Sequence, residues 1–179
     1  MTVRTLFQAP IVLFCYFNPI MARGLDKFCA DIRAAGASGL LVPDIPLEET
    51  DGIRTACNAH DLELVLLTTP TTGSDRMERI AEATQGFLYL VSVTGVTGTR
   101  TVVSNRVEDL IKLIKTKTDK SVNVGFGVSS AEQAAQLKAW GADGVIVGSA
   151  LVRELGESGS PEEGLKNMTA LVQSLRSAI

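Results

Sequence analysis

An α/β fold built on a parallel sheet is what this chain predicts, on three observations. Short β-rich apolar runs alternate with segments of helical period. Six such units follow one another without a break. Each strand candidate is apolar on both faces, as a sheet covered by helices on both sides requires. With 179 residues, 45% hydrophobic and 21% charged, the chain can bury one substantial core and predicts a single domain over 1–179.

The first strand is expected over Ile11–Tyr16, with Asn18-Pro19 interrupting the apolar run after it. The following helix carries Leu25, Phe28, Cys29, Ile32 and Ala35 at i, i+3, i+4 spacing and stops at Gly36. Gly39–Pro43 reads as the second strand, followed by a helix from near Glu49 with Ile53, Ala56 and Cys57 inward. Leu62–Leu67 is the third, and Ser74 is placed to cap a helix carrying Met77, Ile80, Ala81 and Thr84. Gly86–Ser92 is the fourth strand. Its helix turns Val107, Leu110, Ile111 and Ile114 inward, with Asn105 and Glu108 as a variant capping box. Ser121–Val124 is the fifth, and its helix opens with Ser129 and Glu132 at capping-box spacing and closes on Gly141 after Trp140. Gly144–Val147 is the sixth, leading into a short helix over Ala150–Leu155. Ser160-Pro161-Glu162-Glu163 then joins cap, first-turn proline and capping-box glutamate, opening a last helix with Leu165, Met168, Leu171 and Leu175 inward.

Two architectures share this rhythm. A doubly wound sheet is complete at six strands, whereas an eight-unit barrel lacks two. Length favours the open sheet. Against it, no GxGxxG follows the first strand, and the glycines gather after the fourth, fifth and sixth strands, where barrel enzymes hold phosphate.

Composition narrows the partners. A net charge of −3 provides no broad attraction for nucleic acid or anionic lipid, so any phosphate binding is local and rests on backbone amides. Cys15, Cys29 and Cys57 show no metal or CxxC spacing and sit in apolar stretches, where cysteine packs as a small hydrophobe in a reducing compartment. The run Ala9–Phe17 is too short to span a bilayer, and Asn18-Pro19 breaks its likeness to a signal peptide. No membrane partner is expected.

Three segments fall at the carboxyl ends of successive strands: Gly95-Val96-Thr97-Gly98, Gly125-Phe126-Gly127 and Gly148-Ser149. Glycine allows close backbone approach to an anion, and a helix start adds free N–H groups and a favourable dipole. Singly, each reads as a turn or cap; three in succession, with the Ser149 hydroxyl, predict a phosphate cradle. Phe14, Tyr16, Leu41, Leu67, Tyr89, Phe126 and Ile146 lie at the same ends and either line an apolar pocket or fill core. His60, next to Asp61, is expected on the surface, and Trp140 as a packing residue. Asp44 is a loop-ordering carboxylate or a minor participant, and Glu48 and Glu49 are helix N-terminal charges.

The stretches Pro10–Pro19, Leu41–Glu49, Thr68-Thr69-Pro70, Tyr89–Ser92, Gly95–Gly98, Val124–Gly127 and Gly144–Ala150 together resemble the tryptophan synthase α subunit, over nearly the whole chain. The wording VPDIPLEE and VTGVTGTR is most similar to plant, algal and cyanobacterial members, including the plant indole-releasing lyases. The resemblance implies a (β/α)8 TIM barrel, here a single partial barrel of about six units. It implies cleavage of indole-3-glycerol phosphate to indole and glyceraldehyde 3-phosphate, without a cofactor of its own. Pyridoxal phosphate would belong to a β-subunit partner that receives the indole. By the same resemblance Gly98, Gly127, Gly148 and Ser149 hold the substrate phosphate, and Phe14, Tyr16, Leu41, Leu67, Tyr89, Phe126 and Ile146 surround its indole and glycerol parts. Thr97 matches a mobile-loop threonine that meets the catalytic aspartate on closure.

The resemblance departs at the start, where Met1–Ala9 matches the end of the helix before the third barrel strand. The family's catalytic glutamate and aspartate belong to the two earlier units, so no catalytic residue is assigned here, and the chain is expected to be inactive or nearly so. The location implied is cytoplasmic, or plastid stroma for a plant or alga. Two other readings are a short non-catalytic paralogue that binds phosphate or a β subunit, and another phosphate-binding barrel activity such as an isomerase of histidine or thiamine pathways.

Overall fold

The computed structural model describes residues 8–92, 105–125 and 127–179. They divide into two compact units. One holds the described residues up to Leu67 together with Arg79–Leu88, the other Thr68–Glu78 and the described residues from Tyr89 on.

In the first unit, β1 (Val12–Phe14) leads to α1 (Phe17–Arg23) and α2 (Leu25–Ala35), then β2 (Gly39–Leu41), a 3-10 turn at Leu47–Glu49, α3 (Thr50–Ala59) and β3 (Glu63–Thr68). The strands are parallel. Phe14 is opposite Leu41, and Leu41 is opposite Val65. Leu40, Leu64 and Ile53 have no exposed surface, and Ala56 and Cys57 are buried on α3 as its periodicity predicts. α4 (Ser74–Ala83) crosses the division, and beyond its end Thr84 is buried. Its hydroxyl accepts from Leu66 N–H at 2.9 Å and donates to Phe87 O at 2.9 Å, satisfying a polar group that burial would otherwise penalise.

The chain continues through β4 (Leu88–Val91), which enters the second unit at Tyr89, and then α5 (Asn105–Lys115), β5 (Val122–Gly125), α6 (Ala131–Ala139), β6 (Gly144–Ile146), α7 (Ser149–Gly156) and α8 (Pro161–Ala178). β5 and β6 are parallel, with Gly125 opposite Ile146. Val107, Ile111 and Ile114 on α5, and Ala134 and Leu137 on α6, form the buried helix faces. Leu110 is only half-buried.

The strand order is β1-β2-β3-β4-β5-β6, which settles the architecture. A doubly wound sheet reverses direction at a switch point, whereas an unreversed order is that of a barrel.

Several sequence expectations are corrected. The sequence offered no element between the first strand and the helix carrying Leu25, but the chain turns helical at Phe17 and runs through Asn18-Pro19. Pro19 lies in the first helical turn, where its missing N–H has no intrahelical partner to lose, and Phe17 N–H is bound 2.8 Å away by Asp44 Oδ1. Ser74 is the first residue of α4, and Met77 N bonds Gly73 O at 2.9 Å. The box on α6 lies one residue later than predicted: Ser130 accepts from Gln133 N, and Gln133 Oε1 accepts from Ser129 N at 2.8 Å. At α8, Ser160 caps Glu163 N at 3.2 Å and Glu163 reaches back to Gly159 N at 3.0 Å. Leu165, expected inward, is 56% exposed, because Gly164 takes the face toward α7. A Cβ on Gly164 would lie 2.8 Å from Leu155 O, so only glycine permits that approach.

Candidate functional site

In the first unit the predicted residues assemble around the carboxyl ends of β1, β2 and β3. The parallel register puts Phe14 beside Leu41 and Leu41 beside Val65, and Leu67 is two residues further along β3. Alternation along a strand therefore places Phe14, Leu41 and Leu67 on one face of the sheet. Leu41 is 3% exposed, Leu67 half-buried and Phe14 51% exposed. Tyr16, 62% exposed, precedes α1 in extended conformation and makes no side-chain cap. Cys15 N bonds Leu41 O at 3.0 Å, carrying the pairing past the end of β1. Asp44 orders this corner by holding the α1 N-terminus, the loop-ordering role among the two foreseen.

The same unit contains a cleft of about 520 Å³ lined by Leu47, Glu48, Asp51, Arg54, Arg79 and Glu82. Its walls are charged, with both signs interspersed and no aromatic group. None of the predicted site residues lines it.

In the second unit Tyr89 on β4 is 3% exposed, and burial pushes its hydroxyl well above the usual tyrosine range. The ring lies over Gly125 of β5: a Cβ there would overlap Tyr89 Cε2 and the hydroxyl. Ser92 ties the same strand, its N–H and hydroxyl both donating to Gly125 O, at 2.9 and 2.8 Å. The sequence reading did not single out Ser92 or the Tyr89–Gly125 contact. A glycine inside a strand was the available signal, since it marks close approach of another group.

Beyond β5, Gly127 has φ +89°, a conformation that disfavours any side chain. Beyond β6, Gly148 precedes α7 without a side-chain cap, and a Cβ on it would meet nothing within 4 Å. Ser149 opens the helix and is exposed, and Ile146 is half-buried at the end of β6. An open helix start beside a positive-φ glycine and a free-standing hydroxyl has the donors and the space that an anion requires. Thr97, Gly98 and Phe126 lie outside the described residues.

The opposite ends of β5 and β6 are built differently. Asp143 accepts from Lys115 Nζ and, at 2.6 Å, from Val122 N. Its partial burial disfavours the charged form, but the Lys115 and Val122 donors outweigh this and hold the carboxyl below its ordinary value. The amino ends of β5 and β6 are thus clamped through Asp143.

Among the described residues no group of histidine, cysteine and carboxylate side chains suits a metal, and no helix is long and apolar enough to cross a membrane. His60 is not the plain surface residue expected. It is half-buried at the end of α3, with Nε2 2.8 Å from Asp26 Oδ1 on α2. Trp140 is half-buried at the end of α6, consistent with packing.

Residues 1–179 match the family model described as "Tryptophan synthase alpha chain". The chain belongs to that family. The tryptophan synthase alpha chain of Arabidopsis thaliana is 55% identical over 172 residues, covering 96% of this chain and 62% of the relative. That of Picosynechococcus is 54% identical over 171 residues, covering 96% and 64%. Among solved structures, tryptophan synthase from Mycobacterium tuberculosis matches with TM-score 0.87 and 37% identity over 98% of this chain and 64% of its own. The a2b2 complex from Pyrococcus furiosus matches with TM-score 0.88 and 37% identity, over 97% and 69%. The chain therefore spans a little over three-fifths of the curated relatives it matches, at 62% and 64% of their lengths. The family is one of lyases on a TIM barrel, which agrees with the unreversed strand order and the glycines at the carboxyl ends.

Proposed function

We propose that this chain forms the phosphate grip and much of the aromatic pocket of a tryptophan synthase α-type lyase that cleaves indole-3-glycerol phosphate to indole and glyceraldehyde 3-phosphate. The observation that carries the reading is the open start of α7: Gly148 faces empty space, Ser149 is exposed, and Gly127 beyond the neighbouring strand has φ +89°. Gly127, Gly148 and Ser149 bind the phosphate, joined by Gly98. Phe14, Tyr16, Leu41, Leu67, Tyr89, Phe126 and Ile146 contact the indole and glycerol, and Thr97 belongs to the closing loop.

The reaction needs a proton delivered to indole carbon 3 and one removed from the glycerol hydroxyl, work for positioned carboxylates. No residue in this sequence matches the family's catalytic glutamate and aspartate. The 179 residues alone accordingly bind and do not turn over. The chain uses no cofactor of its own. Its macromolecular partner is a β subunit carrying pyridoxal phosphate, a reading that the likeness to the Pyrococcus furiosus a2b2 complex supports.

Calorimetric titration of the chain with indole-3-glycerol phosphate, paired with an indole-release assay, tests the proposal. Binding that weakens at least tenfold in Ser149→Glu, where a carboxylate opposes the phosphate, with no indole released, is the expected result. Absence of binding, or binding indifferent to Ser149→Glu, overturns the phosphate grip. Indole release by the chain alone overturns the binding-only reading.

A further inference from the structure

Two groups at the seam between α2 and α3 take no part in the site. Cys29 and Cys57 are free thiols without exposed surface, and their Sγ atoms lie 3.9 Å apart. A disulfide requires about 2.05 Å, so closure needs a further approach of about 2 Å. Burial pushes both thiols up, Cys57 to about 12, so they rest protonated and react only when the seam opens. The two helices flank β2 in sequence, and 28 positions separate the cysteines. A bond between them would enclose β2, which ends at Leu41, and the loop carrying Asp44.

We propose that Cys29 and Cys57 are an oxidisable pair that closes into an intrachain disulfide, stapling α2 to α3, when the chain meets an oxidant of the peroxide class. One thiol, deprotonated on transient opening, attacks a peroxide oxygen. The S–O bond forms, the O–O bond breaks, and the departing hydroxide takes up a proton and leaves as water. The second thiolate attacks the resulting sulfenic sulfur; the S–S bond forms, the S–O bond breaks, and a second water leaves. The cysteines together lose two electrons and two protons, and the peroxide is reduced to two waters. The crosslink restricts the unfolded chain and so strengthens the unit containing both helices.

Hydrogen peroxide treatment of the full chain, followed by catalase, denaturing alkylation and peptide mass analysis, tests this. The expected product is a Cys29–Cys57 linked peptide about 2 Da lighter than the two separate thiol peptides, restored by dithiothreitol. Cys15 remains alkylatable, so two of the three cysteines are lost to the reagent. Thermal unfolding of the oxidised chain shifts upward by several degrees, a shift absent from Cys29→Ala and Cys57→Val, each a variant in which the other partner remains. Both buried thiols still alkylated, their conversion to sulfinic acid, Cys15 in the crosslink, or a linked product with no upward shift would each overturn the staple. Should one variant not fold, the other decides the control.

Discussion

Phe14 and Tyr16 at the end of β1, and Tyr89 on β4, are aromatic residues with the same expected part in a pocket, yet they sit in opposite surroundings. Phe14 and Tyr16 are 51% and 62% exposed, and Tyr89 is 3% exposed. Among the described residues β1 pairs with β2, and the Phe14 and Tyr16 rings beside and beyond its end are open to solvent. Tyr89 is pressed against Gly125, a strand position kept free of any side chain. Burial thus separates the three: the Tyr89 ring is held in packing, while the Phe14 and Tyr16 rings are exposed.

The comparison is broken most severely by Tyr89→Ala, which is expected to cost about 3–5 kcal/mol, read as a lower urea midpoint at unchanged slope. Gly125→Ala approaches the same contact from the other side and should cost about 1–3 kcal/mol through overpacking. Tyr89→Phe should not relieve it, because ring atom Cε2 is in the way as well as the hydroxyl, whereas Tyr89→Leu in the double variant should recover part of the loss. Additive losses in that pair would show that ring and glycine are independent.

At the clamped end of β5, Asp143→Ala should cost about 1 kcal/mol, below the usual range for a charged hydrogen bond because the side chain is part-exposed. The sign with pH follows from its lowered value. The unfolded carboxyl titrates near 3.8, so the stabilisation is complete above that and fades as pH falls through the lower folded value. Urea unfolding from neutral pH into that acid window should show the wild type losing more stability than the variant. Equal slopes would remove Asp143 from the account.

The smallest expected stability effect is Tyr16→Ser, within about 0.5 kcal/mol, since an exposed ring is lost and a serine before α1 can cap it. Affinity for indole-3-glycerol phosphate should nonetheless fall by about an order of magnitude with the loss of a stacking surface. A variant that unfolds more readily but binds as before would reverse the assignment of the two aromatic groups.

Much of the fold was legible because its causes are local. The helix ending at Gly36 and the capping box at Ser160 and Glu163 depend on residues within one turn, and both are where spacing predicted. The glycines beyond β5 and β6 were readable for the same reason. Partners distant in the chain made the rest illegible. α1 begins at Phe17 because a carboxylate 27 residues later receives its first N–H. Leu165 faces outward because Gly164 meets α7, and His60 is drawn to Asp26 across 34 residues.

By itself the sequence determined the strand and helix alternation, the burial of most helix faces and the family, since periodicity, caps and motif wording are written in contiguous residues. Periodicity alone left the open sheet and the barrel both standing; the family wording implied the barrel, and the strand order, which no local pattern encodes, agrees with it. The tertiary structure alone brought Tyr89 over Gly125, Asp143 onto Lys115, and Cys29 to within 3.9 Å of Cys57. Which side chains meet depends on the register and packing of whole elements, and that information is spread over the chain.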